Sequence, residues 1–174
     1  MIQAGTLCDA STVIYLAKAE ALAETHAFVG NLLVPPAVWR EMVNMVEGRG
    51  QLDQEKIRSA RDAGWLKLLE LGPAVANRAI EIRERRRIGR GESEVIAAAR
   101  KGSLVLMDDR RAARVARSMG LNPMRTISLP LLGFRRGLIA SSDALGLLWR
   151  LAKIIGERAD VVMRLEADIR EGRK

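Results

Sequence analysis

Residues 103–109 read Ser-Leu-Val-Leu-Met-Asp-Asp, a short apolar run that ends in two carboxylates. A similar arrangement occurs near the amino terminus, where residues 5–9 read Gly-Thr-Leu-Cys-Asp. Short continuous apolar runs are typical of strands that are buried on both faces of a parallel sheet. Because ligands of such sheets bind outside the carboxyl ends of the strands, the acidic residues after both runs mark a candidate site.

Apolar stretches of this kind recur along the chain, and longer segments with helical periodicity separate them. They predict strands at residues 5–9, 32–34, 65–71, 103–107 and 125–127. The alternation predicts a three-layer α/β/α sandwich whose central sheet has about five mostly parallel strands. We expect residues 1–139 to form this domain and residues 140–174 to extend it with a helical hairpin.

The charge balance favours a polyanionic partner. The 174 residues include 29 Lys and Arg against 21 Asp and Glu, which gives a formal net charge of +8. Contacts between such cations and phosphates release condensed counterions. Aromatic residues make up only 3%, which argues against a surface on which single-stranded bases stack. Four arginines are candidates for holding a phosphate backbone, and a solvated helix end explains them equally well: Arg85, Arg86, Arg87 and Arg90.

Cys8 and His26 are the only residues of their types. One cysteine cannot form an intrachain disulfide, and we interpret Cys8 as a small buried hydrophobe. One histidine excludes a His-rich zinc site, so oxygen ligands would have to hold any metal. The first residues do not resemble a signal peptide, and no apolar run reaches membrane-spanning length. We therefore expect a cytoplasmic protein without a membrane contact.

Four acidic residues are candidates for one site. Asp9 and Asp108 follow predicted strands, Glu41 lies at the border of the apolar stripe of its helix, and Glu92 shares a helix face with apolar residues. Carboxylates that are brought together repel each other unless a cation or a proton intervenes, and Mg²⁺ or Mn²⁺ suits such oxygen sites. Taken alone, Glu41 is explained as a solvated side chain and Glu92 as a first-turn glutamate stabilised by the helix dipole.

Three further residues are supporting candidates. Glu94 is predicted to project from a different helix face than Glu92, which makes it the weaker of the two. Ser11 is predicted to cap the first helix, and Asp109 is explained as the cap of the helix that follows it.

At these residues the chain resembles the PIN-domain nucleases, and among them the toxin-like endoribonucleases. The resemblance lies between residues 7 and 139, in four motifs that occur in order. They are Cys-Asp-Ala-Ser at 8–11, Val-Pro-Pro-Ala-Val-Trp-Arg-Glu at 34–41, Gly-Glu-Ser-Glu-Val-Ile-Ala-Ala-Ala at 91–99, and Leu-Met-Asp-Asp-Arg at 106–110.

The resemblance implies a metal-dependent endoribonuclease in which Asp9, Glu41, Glu92 and Asp108 are the catalytic residues and hold Mg²⁺ or Mn²⁺. It also implies that Ser11 orients the first aspartate. The Gly-Glu-x-Glu form is similar to the glutamate pair of flap endonucleases, which keeps Glu94 as a candidate. The chain departs from the family in having Glu92 where aspartate is commoner. As a toxin, the protein would be a homodimer that is inhibited by a small antitoxin protein, a segment of which fills the acidic cleft or the groove beside it.

Three alternatives have different chemistry. A non-catalytic RNA-binding or scaffold protein could keep the same fold. A receiver-type signalling domain would need an acidic pair after the first strand, whereas the pair here is Asp108 and Asp109, and a late lysine that is not found near Thr126. A haloacid-dehalogenase-type phosphatase would need a second aspartate where Ser11 stands.

Overall fold

A computed structural model describes residues 5–46 and 51–172. The five strands of the described residues form one sheet, in which every neighbouring pair is parallel and the order is β3-β2-β1-β4-β5. They are β1 (Thr6–Cys8), β2 (Leu32–Val34), β3 (Leu66–Leu68), β4 (Leu104–Leu106) and β5 (Asn122–Met124). The predicted α/β fold with about five parallel strands is confirmed.

Helices connect the strands and cover the sheet. They are α1 (Ala10–Lys18), α2 (Leu22–Val29), α3 (Pro36–Val46), α4 (Gln51–Asp62), α5 (Pro73–Arg86), α6 (Arg90–Ala98), α7 (Arg110–Ser118), α8 (Leu129–Arg135), α9 (Ser141–Ile155) and α10 (Ala159–Arg170), with a 3₁₀ turn at Thr126–Ser128. Parallel crossovers are right-handed, so the connections from β1 towards β3 and those towards β5 lie on opposite faces. This arrangement gives the three layers.

The fifth strand departs from the prediction. It was expected at residues 125–127, but β5 is Asn122–Met124, whose first residue pairs with Leu104 of β4. Pro123 has no N–H to donate, a feature that is unfavourable within a sheet. β5 is an edge strand, however, where proline is tolerated because one side of the strand needs no ladder partner. Arg125 consequently lies just beyond the carboxyl end of a strand.

Aliphatic and alanine side chains build the core. Cys8 is completely buried among them, and burial raises the pKa of its thiol well above the ordinary value. The interpretation of Cys8 as a small buried hydrophobe is confirmed. No helix within residues 5–46 and 51–172 is both long and apolar enough to cross a membrane. Residues 1–4, on which the expectation about a signal peptide rests, lie outside the described residues.

The two carboxyl-terminal helices pack closely on the rest of the chain. α9 contacts α1, α8 and the 3₁₀ turn, and α10 contacts α8 and α9. Leu147, Leu148 and Leu151 of α9 are at most 1% exposed, so this helix contributes to the main core. The division of the chain at residue 139 stays a prediction.

Candidate active site

Asp9 and Asp108 lie together at the centre of the sheet edge. β1 and β4 are neighbours, and the chain leaves their carboxyl ends in opposite directions, towards β2 and towards β5. This is the switch point at which open α/β sheets bind ligands. Asp9 follows β1 directly, and its Oδ2 accepts a hydrogen bond of 3.0 Å from the backbone N–H of Asp108. The fold therefore brings these two predicted residues into contact.

Asp9 is held by backbone donors. Its side chain is nearly buried, and Oδ1 accepts a hydrogen bond of 2.8 Å from the N–H of Thr12. Asp9 is therefore the N-cap of α1, and the prediction that Ser11 caps this helix is wrong, because Ser11 already lies in the first turn. The hydrogen bonds that orient Asp9 come from Thr12 and Asp108 rather than from Ser11.

Asp108 is held by the segment that follows β5. The N–H of Thr126 donates to its Oδ1 at 3.2 Å, and the Thr126 hydroxyl donates to its Oδ2 in a short hydrogen bond. Thr126 is completely buried, and its hydroxyl lies 3.1 Å from the hydroxyl of Thr12. Arg125 Nε is 3.7 Å from Asp108 Oδ1, beyond hydrogen-bond length but close enough for charge attraction.

At both carboxyl groups the effect of burial outweighs the hydrogen bonds and charges that favour the ionised form. The pKa of Asp9 is raised to about 6, mainly by burial and in smaller part by the charge of Asp108, and the hydrogen bonds from Thr12 and Asp108 act in the opposite direction. Burial also raises the pKa of Asp108, although Thr126 and Arg125 counteract this effect. The pKa of the Tyr15 phenol is raised by burial and then by Asp108 and Asp9, so Tyr15 faces the same pair. A cation at this position would relieve the repulsion.

Glu41 and Glu92 form a second pair across a cleft between α3 and α6. The cleft has a volume of about 580 Å³, and Arg40 and Arg90 also line it. The loss of part of its hydration in the cleft raises the pKa of Glu41, and the charge of Glu92 raises it further. The helices approach closely because Gly91 has no side chain, since a Cβ there would lie 3.0 Å from Glu41 Oε2. Glu41 is exposed and Glu92 is half-buried.

Glu94 is the buried glutamate of α6, with 5% of its surface exposed. Its Oε2 accepts a hydrogen bond of 2.7 Å from the N–H of Ala37, and its Oε1 accepts one of 3.2 Å from Arg90 Nε. Glu94 thus links the start of α3 to α6, and this link keeps Glu41 opposite Glu92. Glu94 does project from a different face than Glu92, but the prediction that the face of Glu92 is the packed one is wrong. Glu94 is the more buried of the two, because α6 contacts α3, α5 and α7 at once.

Glu94→Ala is expected to lower the free energy of unfolding by about 2–3 kcal/mol, since a charged acceptor is lost and the N–H of Ala37 is left buried without a partner. Urea unfolding followed by circular dichroism measures this change. Glu84→Ala on the exposed face of α5 is the matched control, for which the expected change is below about 0.5 kcal/mol. Equal effects of the two variants would contradict the role given to Glu94.

The remaining predicted residues lie at helix ends. Asp109 Oδ1 accepts a hydrogen bond of 2.7 Å from the N–H of Ala112, which confirms the explanation of Asp109 as the N-cap of α7. The four arginines are exposed at the end of α5 and the start of α6: Arg85, Arg86, Arg87 and Arg90. Their contact with RNA stays a prediction.

The four acidic candidates lie in two pairs, Asp9 with Asp108 and Glu41 with Glu92. Within the described ranges, no three or more His, Cys, Asp or Glu side chains form a group that could hold a metal ion. Both pairs lie near the carboxyl edge of the sheet, since α3 begins after β2 and Glu94 ties the start of α6 to it. Carboxylate oxygens suit a hard divalent cation in kind and in charge. That all four carboxylates share one ion stays a prediction.

Several residues of the site were not found from the sequence. Thr12, Tyr15, Arg125 and Thr126 surround the aspartate pair, and Glu157 joins them from the turn between α9 and α10. A strand placed at 122–124 would have put Arg125 and Thr126 at the functional edge. No local pattern marks Glu157, because only the packing of α9 brings it there.

Comparison with known proteins agrees with this geometry. A family model described as a PIN domain matches residues 6–160 of the 174, a range that contains both acidic pairs and Glu157. Searches of curated proteins and of solved structures find no match. The matched range covers the whole sheet and the cleft between α3 and α6. The chain therefore belongs to the PIN-domain family.

Proposed function

We propose that the protein is a metal-dependent endoribonuclease that hydrolyses RNA phosphodiester bonds. The observation that carries this proposal is the hydrogen bond from the Asp108 N–H to the Asp9 carboxylate. It brings together one buried and one partly buried carboxyl group, both with raised pKa, at the switch point of the sheet. Members of the PIN-domain family are generally nucleases, and a pair of this kind is suited to bind a divalent cation beside a phosphate.

Asp9 and Asp108 would be the principal ligands of Mg²⁺ or Mn²⁺, and Glu41 and Glu92 would complete the set. When bound, such an ion lowers the pKa of water and neutralises charge that develops on the phosphate. The chain itself supplies orientation. Hydrogen bonds from Thr12 and Asp108 fix both oxygens of Asp9 before any substrate arrives, so less reorganisation is needed in the reaction.

RNA is the substrate that the charge distribution and the resemblance to endoribonucleases favour. The net charge is +8, and the arginines at the end of α5 lie just ahead of the cleft in the chain. Arg40 and Arg90 line the cleft beside its glutamates, where they could hold phosphates that the carboxylates alone would repel.

The biological setting belongs to the same proposal. We infer a toxin of a toxin–antitoxin pair, located in the cytoplasm, that forms a homodimer and is inhibited by a small antitoxin protein. This inference rests on the resemblance to toxin-like endoribonucleases, and a segment of the partner that carries positive charge would complement the acidic cleft.

A non-catalytic RNA-binding protein with the same fold is the second candidate. This candidate is favoured by the separation of the acidic residues into two pairs, since no three acidic side chains of the described residues form a group that could hold a metal ion. Receiver-type signalling and phosphatase chemistry do not agree with membership of the PIN-domain family. RNA cleavage by the wild type and by Asp9→Asn, with Mn²⁺ and with EDTA, separates the two remaining candidates.

Replacing Arg85, Arg86 and Arg87 by Gln is expected to weaken RNA binding and to reduce its salt dependence. Each lost phosphate contact lowers the slope of log K against log salt by about 0.7 for a single strand. Fluorescence anisotropy with a labelled RNA at several salt concentrations measures the slope. The control removes equal charge from exposed positions on α4, α9 and α10: Arg58, Lys153 and Arg164. A slope that falls equally in both triple variants would show non-specific attraction only.

A further inference from the structure

The turn between α9 and α10 places a carboxylate close to the aspartate pair. The side chain of Glu157 is only 4% exposed, and its Oε2 is 2.5 Å from Arg125 Nη2. The same guanidinium lies beside Asp108, with 3.7 Å between Arg125 Nε and Asp108 Oδ1. Arg125 therefore stands between two acids, and it is nearer to Glu157 than to Asp108.

The backbone fixes Glu157 in this position. Gly156 ends α9 with a φ of +68°, a left-handed conformation that favours glycine. The N–H groups of Gly156 and Glu157 both donate to the carbonyl oxygen of Ala152, at 3.0 and 3.1 Å. The turn is thus a closed helix end that holds the backbone of Glu157, and the Glu157 side chain also accepts a hydrogen bond of 3.1 Å at Oε1 from the N–H of Arg158.

The contact between Arg125 and Glu157 is one of charge rather than of hydrogen-bond geometry. Arg125 Nε and Glu157 Oε2 are both buried, and neither atom has a hydrogen-bond partner. The Arg125 side chain is partly buried, and a guanidinium that has lost part of its hydration is costly unless an anion compensates it. If Glu157 were neutral, Asp108 would be the nearest remaining carboxylate, and Arg125 would be drawn towards it.

The formal charges of this cluster match a divalent cation. Three carboxylates and one guanidinium, from Asp9, Asp108, Glu157 and Arg125, carry a formal charge of −2 when all are ionised. Without Glu157 the charge is −1, and Arg125 would already neutralise half of the aspartate pair. Glu157 therefore offsets the positive charge that Arg125 brings into the site.

We propose that Glu157 is a positioning residue of the aspartate pair, which holds Arg125 away from Asp108 and so keeps Asp108 free to bind a divalent cation. This inference rests on the proposed function and deepens it. It gives the carboxyl-terminal hairpin a part in the active site. The competing role is purely structural, with the ion pair only anchoring the hairpin.

Titration calorimetry with Mn²⁺ alone, on the full chain, tests the inference. Glu157→Gln keeps the shape of the side chain, and we expect its dissociation constant for Mn²⁺ to rise by about 10- to 100-fold, the usual effect of losing a group that supports a metal ligand. In the double variant Arg125→Gln with Glu157→Gln, the two aspartates again carry −2, so its affinity should return close to that of the wild type.

Glu166→Gln is the matched control, because it removes an acid from another ion pair of the hairpin, 2.7 Å from Arg170. Its affinity for Mn²⁺ should equal that of the wild type. Thermal unfolding in EDTA establishes that each variant is folded. If Glu157→Gln does not fold, the double variant decides, since only charge compensation predicts an affinity equal to that of the wild type.

Wild-type affinity in Glu157→Gln would overturn the inference, and so would a double variant as weak as the single one, because a structural anchor is not restored by a second loss of charge. A wild type that binds no Mn²⁺ would overturn both the metal-dependent function and the inference. A wild type that binds Mn²⁺ but cleaves no RNA would overturn the proposed function alone, and the dissociation constants would still decide the role of Glu157.

Discussion

Asp9→Asn is expected to lower the rate of RNA cleavage by about a hundred- to a thousandfold, the range found when one preorganised electrostatic group is removed from an active site. Asparagine keeps the size of the side chain but removes its charge. It also has only one acceptor oxygen, whereas Asp9 accepts from both Thr12 and Asp108. The amide nitrogen of the asparagine would therefore face the N–H of either Thr12 or Asp108, which is itself a donor. The remaining amide oxygen would bind a cation more weakly than a carboxylate oxygen does.

Cleavage of a labelled RNA under single-turnover conditions, with Mn²⁺ or Mg²⁺ and in excess EDTA, measures this effect. The wild type should be inactive in EDTA, because EDTA removes the ion that lowers the pKa of the attacking water. Asp62→Asn is the control: Asp62 is exposed and ends α4 just ahead of β3, at the opposite edge of the sheet. Undiminished cleavage by Asp9→Asn would refute the assignment. RNA binding without cleavage by the wild type would favour the non-catalytic alternative.

The parts of the fold that local sequence determines could be predicted. The second strand lies at 32–34 as expected, since an apolar run between a helix-ending Gly30 and Pro35 leaves little choice. Asp9 and Asp108 were identified because each follows an apolar run, and the ends of neighbouring parallel strands must meet. The pairing of β1 with β4 is decided by the tertiary fold. Any parallel sheet in which these two strands are neighbours would bring Asp9 and Asp108 together.

The parts that depend on packing could not be predicted. Periodicity gave Glu92 the packed face of α6, yet Glu94 is the buried one, because three helices surround α6 and its buried surface extends beyond one stripe. Whether a glutamate on such a helix faces a cleft or a backbone N–H depends on how the neighbouring helix is placed. Arg125 and Glu157 are separated in sequence by the 3₁₀ turn, α8 and α9, so their ion pair forms only in the tertiary fold.

The free energy of unfolding of the metal-free protein is expected to fall as the pH rises from about 4 to 7. The pKa of Asp9 is about 6 in the folded protein and has an ordinary value of 3.8. Between these values the folded state keeps a proton that the unfolded state has lost, so raising the pH favours unfolding. The difference of about two pKa units corresponds to a loss of roughly 3 kcal/mol, present in full above the folded pKa and absent below the unfolded one. Asp108 and Glu41, whose pKa values are also raised, act in the same direction.

Urea unfolding of the wild type and of Asp9→Asn in EDTA, at constant ionic strength and at several pH values, isolates this effect. The net positive charge of the chain also changes with pH, but it changes alike in both proteins and cancels in their difference. The stability of Asp9→Asn relative to the wild type should therefore rise with pH by up to about 3 kcal/mol. Saturating Mn²⁺ at pH 7 should stabilise the wild type more than the variant, because the ion compensates the charge that burial penalises. A stability difference that does not vary with pH would mean that Asp9 carries its charge without penalty, and the electrostatic argument for a cation between Asp9 and Asp108 would then be lost.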